Sequence, residues 1–125
     1  MTGLGDARYH ARIAKEKRAG AKDEFKKRRL TNVADLALKA VNQAIEAAAS
    51  RSGLHFHQNP KSAHMERAAW LKRTFPELGP TYDLLWGSYG LLGYDGIDGD
   101  RAKAVMESME AILDEIGSKT QIRLR

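Results

Sequence analysis

The most regular pattern in this chain lies near its end. Ala102, Val105, Met106, Met109, Ile112, Leu113 and Ile116 recur at spacings of three and four, which puts all of them on one face of an α-helix. A helix with so wide an apolar stripe holds its shape in water only when that stripe is covered. A second stretch makes the same demand, with Val33, Ala37, Ala40, Val41, Ala44, Ile45 and Ala48 on one face and Ala47 and Ala49 beside them. Alanine favours helix and lets a neighbouring helix approach closely.

Shorter helices complete the pattern. Asp6 is placed to cap a helix-prone segment reaching about Arg29. Its large apolar positions, Tyr9, Ile13 and Phe25, are sparse, and Gly20 interrupts it, so the segment is expected to dock loosely. Thr31 or Asn32 caps the alanine-rich helix and Gly53 ends it, unless residues 22–51 form one rod. Residues 52–61 read as a loop, with Phe56 turned toward the bundle. Ser62 then caps a third helix to about Phe75, with Met65, Ala68, Leu71 and Phe75 inward. Beyond Pro76, Gly79 and Pro80, Thr81 caps a fourth helix with Tyr82, Leu85, Trp86, Tyr89 and Leu92 on one stripe. Gly93 to Gly96 read as a turn, Asp98 as the cap of the closing helix, and Gly117 as the residue after it. The expectation is one all-α domain over residues 1–125, an antiparallel four- to five-helix up-down bundle. Residues 6–29 form a basic helix or arm, 31–117 the bundle, and 118–125 a frayed tail.

Length and composition narrow the function classes. A chain of 125 residues makes one domain rather than a multi-domain enzyme. The longest apolar run, Ala68 to Leu71, is far short of a membrane span or a signal peptide, so a cytoplasmic protein without a membrane partner is expected. The absence of cysteine excludes disulfides, thiolate metal sites and a thiol nucleophile. The net charge of +5 is unevenly placed: residues 8–29 carry ten basic side chains against three acidic ones, and the rest of the chain is slightly acidic. Such asymmetry suits a polyanion or an acidic partner, with Arg18, Lys22, Lys26, Lys27, Arg28 and Arg29 as candidate contacts.

Two local features stand out and two fail. Gly87, Gly90 and Gly93 repeat every three residues among Tyr82, Trp86, Tyr89 and Tyr94. Each interior glycine costs a helix about 1 kcal/mol relative to alanine, so the segment 82–96 is a candidate contact surface for a partner subunit or ligand. Arg51 and His57 offer a guanidinium and an imidazole close in sequence, groups that hold a phosphate and move a proton near neutral pH. His55, His57 and His64 have no carboxylate between them and no rigid helical spacing, so no metal site is assigned and no cofactor is implied. Asp95, Asp98 and Asp100 do not match a calcium loop, because Lys103 and Met109 stand where its glycine and closing glutamate belong. Phosphate loops, dinucleotide fingerprints and hydrolase motifs are absent from the sequence.

Three segments together resemble the HEPN superfamily of small helical bundles. They are the alanine-rich run Ala34 to Ala49, the short helix ending Trp70-Leu71-Lys72-Arg73-Thr74-Phe75, and the late segment Tyr82 to Gly96 followed by the helix from Arg101. The resemblance covers about residues 30–117 and implies a dimeric bundle of four or five helices. Some members of that superfamily are metal-independent ribonucleases with an arginine followed four to six residues later by a histidine at the end of a late helix. Others are non-catalytic partners of nucleotidyltransferases in toxin–antitoxin pairs, or binding modules. Here Arg51 and His57 have the spacing but follow the second helix, and the late segment from Trp86 to Tyr94 contains neither arginine nor histidine. The expected function is therefore a homodimeric module acting through protein contacts, with a nucleotidyltransferase as a candidate partner. RNA binding by residues 8–29, and RNA cleavage by Arg51 and His57, are the alternatives.

Overall fold

The computed structural model describes residues 6–95 and 99–125, and the side chains of all of these except residues 89–95. Its first helix, α1 (Ala7–Lys26), begins where Asp6 accepts a hydrogen bond from the Tyr9 amide at 2.7 Å. The inner face of α1 is built from His10, Ala11, Ala14, Arg18 and Ala21 rather than from large apolar residues. These short side chains let α1 lie closely along α2 (Leu30–Ser50), so the basic segment is a packed layer of the bundle and not a loose arm. Gly20 does not break it.

The long-rod alternative fails at Arg28. The Arg29 amide donates to the Glu24 carbonyl and the Arg28 amide to the Phe25 carbonyl, a Schellman turn with Arg28 at φ 61°. Helix α2 then starts at Leu30 without a side-chain cap from Thr31 or Asn32. Its predicted stripe is buried in full, and Glu46, Ala47 and Ala49 are buried as well. Contact with α1, α3, α4 and α5 makes α2 the central helix. A second Schellman turn, with Gly53 at φ 79°, takes the chain out of it.

The loop that follows contains a single 3-10 turn, Phe56–Gln58, and Phe56 is buried as expected. Helix α3 (Ala63–Thr74) buries Leu71 as predicted, and Phe75 just beyond it is buried too. Met65 is 72% exposed, and Ala63 and Trp70 are buried instead. Trp70 decides the orientation because its ring meets those of Phe56 and Phe75, with centroids 6.5 and 5.9 Å apart. A 3-10 turn at Pro76–Leu78 leads directly into α4 (Gly79–Asp95), which starts ahead of Thr81. Residues 93–95 continue α4 rather than forming a turn. Gly96 and the expected cap Asp98 lie outside the described residues.

Helix α5 (Gly99–Thr120) buries Ala102, Val105, Met109, Ile112, Leu113 and Ile116 against α2 and α4. It runs through Gly117 and ends where Gln121, at φ 64°, donates to the Gly117 carbonyl. The chain then doubles back. A side chain on Gly117 would stand 3.1 Å from the Ile122 carbonyl, and Leu124 is only 3% exposed. The tail is thus packed where fraying was expected. Among the described residues there are no strands, and no helix is long and apolar enough to cross a membrane. The architecture is the expected all-α helical bundle, with five α-helices among the described residues.

Candidate functional site

The outer face of α1 carries Arg8, Arg12, Lys15, Lys22 and Lys26 at spacings that keep them in one line, with Ala19 between Lys15 and Lys22. Arg8, Arg12, Lys15 and Lys26 form no ion pair among the described residues, and the Arg12 guanidinium lies over the Tyr9 ring at 5.8 Å. Lys22 makes one long contact, 3.7 Å, with Glu110. The returning tail lays Arg123 beside this line, and a groove of about 590 Å³ opens between them, lined by the cations Arg8, Arg12, Lys15 and Arg123 together with Asp6, Tyr9 and Ile122.

Most of the cations expected to meet a polyanion are committed within the molecule. Arg18 is 4% exposed; it donates to Glu110 at 3.0 and 2.7 Å, to Asp114 at 2.9 Å and to the Leu124 carbonyl at 3.0 Å. Burial works to lower its pKa, but the hydrogen bonds and charge of Glu110 and Asp114 together outweigh burial and raise it. Lys27 pairs with Asp23 at 2.9 Å and Arg29 with Glu24 at 3.6 Å, while Arg28 lies over the Phe25 ring at 5.9 Å. Of the expected set, Lys22 and Lys26 remain on the open face. The sequence counted Arg8, Arg12 and Lys15 in its basic segment without singling them out; only the helical spacing of 8, 12 and 15 distinguishes them.

Arg51 and His57 have different partners in the structure. Arg51 donates to the Thr120 carbonyl. His57 donates from Nδ1 to Glu46 Oε1 at 3.0 Å, and Arg67 donates to Glu46 Oε2 at 3.0 Å. Glu46 is 1% exposed, so the carboxylate sits deep in α2 between an imidazole and a guanidinium. His10 completes the cluster. Its Nδ1 donates to Gln43 Oε1 at 2.6 Å, its ring centroid is 4.8 Å from that of His57, and its Nε2 is buried with no hydrogen-bond partner among the described residues. Burial lowers the His10 pKa, against the Gln43 hydrogen bond and aided by His57. One donor atom each from His10, Glu46 and His57 lies within 4.8 Å of the other two, a set suited to a metal ion. Where the sequence weighed His55, His57 and His64, the structure groups His57 with His10 and Glu46. The available signal was a lone acidic residue inside the run Ala44-Ile45-Glu46-Ala47-Ala48-Ala49.

In α4, Tyr82 is 1% exposed, and its ring meets Trp86, which in turn packs against His64 with centroids 3.9 Å apart. Gly87 faces open space and Leu84 is 55% exposed. The side chains of Tyr89, Gly90, Gly93 and Tyr94 lie outside the described set. No family model, curated protein or solved structure matches this chain.

Proposed function

We propose that this protein is a HEPN-like helical module that binds a polyanion, single-stranded RNA in particular, along the outer face of α1. One observation carries the reading: Arg8, Arg12, Lys15 and Lys26 share a single helical line and make no close ion pair among the described residues. Unpaired cations in a row repel one another, and a row of phosphates relieves that repulsion while releasing condensed counterions. The groove beside Tyr9 offers an aromatic face for a base at one end of the line.

Gel retardation of labelled single-stranded RNA, with chelator present and salt varied, tests it. Binding should weaken steeply with salt, by about 0.7 in logarithmic slope for each phosphate contact. Replacing Arg8, Arg12, Lys15 and Lys26 together with glutamine should make the slope shallower by about 3, whereas Lys27→Gln with Arg29→Gln should leave it nearly unchanged. No retardation at low salt, or equal slopes for both variants, defeats the proposal. Chelator-resistant cleavage abolished by His57→Ala would replace it with the ribonuclease reading.

A further inference from the structure

We propose that His10, Glu46 and His57 bind one divalent first-row transition-metal ion with the ligand preferences of zinc. The site is separate from the polyanion face and does not depend on it.

The donor chemistry selects the class of ion. Two imidazoles and one carboxylate suit zinc and its neighbours, whereas magnesium and calcium favour all-oxygen surroundings. Each donor comes from a different element, namely α1, α2 and the 3-10 turn at Phe56–Gln58. An ion held there would join three parts of the chain that are remote in sequence. His57 Nδ1 and Glu46 Oε1 are 3.0 Å apart. Adjacent ligands on bonds of about 2.1 Å stand about 3.0–3.4 Å from each other, so this pair is already spaced for an ion, while donors separated by up to 4.8 Å have to draw together by on the order of 1 Å. The ion takes the place of the proton now shared between these two atoms, and His57 carries its proton on Nε2 instead.

The surroundings match what a metal ligand needs behind it. Gln43 Oε1 accepts the Nδ1 proton of His10, which leaves the lone pair on Nε2. Arg67 holds Glu46 Oε2 and leaves Oε1 for the ion. The decisive atom is His10 Nε2, which belongs to a residue 2% exposed and has no hydrogen-bond partner among the described residues. Buried polar atoms are paired as a rule. The Glu46–Arg67 ion pair uses one terminal nitrogen of Arg67 and leaves its Nε buried without a hydrogen bond, and the Glu46–His57 hydrogen bond explains His57, but neither gives His10 Nε2 a partner. A metal ion does. His57 keeps 37% of its side chain in solvent, so the ion has a way in, and three protein donors leave a coordination position for water.

The test is titration of the full chain with cobalt chloride, read by visible absorption, followed by displacement with zinc chloride. The chain has four histidines and no cysteine, so the spectrum reports nitrogen and oxygen ligands alone. One ion per chain is expected, with at least tenfold weaker binding in His57→Ala and unchanged binding in His64→Ala. Glu46→Gln, which keeps the side-chain shape, should also weaken binding at least tenfold. Zinc should shift the imidazole nitrogens of His10 and His57 in NMR spectra and leave His64 in place, a readout that needs no variant to fold. No stoichiometric binding at tens of micromolar metal overturns the proposal. So does binding that His64→Ala weakens as much as His57→Ala, or zinc shifts that spare His10.

Discussion

At the scale of single residues, helix α1 keeps a glycine for no conformational reason. Gly20 sits in mid-helix, and a side chain there would meet Leu36 Cδ1 at 3.4 Å, an ordinary contact. Gly20→Ala should therefore stabilise the protein by about 0.5–1 kcal/mol, seen as a higher urea midpoint; a lower midpoint would mean that α1 and α2 have no room for a methyl group. Arg28 is the opposite case. Its left-handed backbone costs about 1 kcal/mol, offset by the guanidinium lying over Phe25 and passing Gly99, where no side chain blocks it. Nothing in a lysine- and arginine-rich stretch announces that one arginine will end the helix, so this corner was illegible. His10 and Glu46 were hidden for a related reason. Polar residues on an otherwise small apolar face read as solvated, and only the packing of α1 on α2 encloses them.

At the scale of elements, the stripes of α2 and α5 were legible because large apolar residues at helical spacing have only one use in a bundle. The α1 contact was not, because alanines carry little pattern and its key anchor is a charged residue. Arg18 ties α1 to α5 and to the tail through Glu110, Asp114 and the Leu124 carbonyl. The hydrogen bond and charge of Arg18 lower the Glu110 pKa. Burial raises that of Asp114, but Arg18 and Arg125 outweigh it, so it too is lowered. Carboxylates with lowered folded pKa values stabilise the fold above their ordinary values near 4, and that stability is lost as pH falls through the lowered ones. Urea unfolding between pH 5 and pH 2 should show this loss, and Arg18→Met should reduce the pH-dependent part by on the order of 1 kcal/mol, since both carboxylates are part-exposed. An unchanged pH profile in Arg18→Met would assign the acid sensitivity to other groups.

At the scale of the whole molecule, the bundle was readable and its closure was not. The tail looked frayed because it is short and basic, yet Leu124 is buried and Gly117 gives the reversing chain space to pass. The central position of α2 has a consequence for how the protein breathes. Ala37, Ala40, Val41, Ala44, Ile45, Ala47 and Ala49 have no exposed surface, and four other helices rest on this one. The buried stretch of α2 from Ala37 to Ala49 cannot open while its neighbours stay in place. Its amide hydrogens from 37 to 48 should therefore exchange with deuterium only as fast as the whole molecule unfolds, while those of α3 exchange through local opening; α2 amides exchanging as fast as those of α3 would contradict this. By that account α2 serves as the clock of the fold, and the rate at which its last protons leave measures the global stability directly.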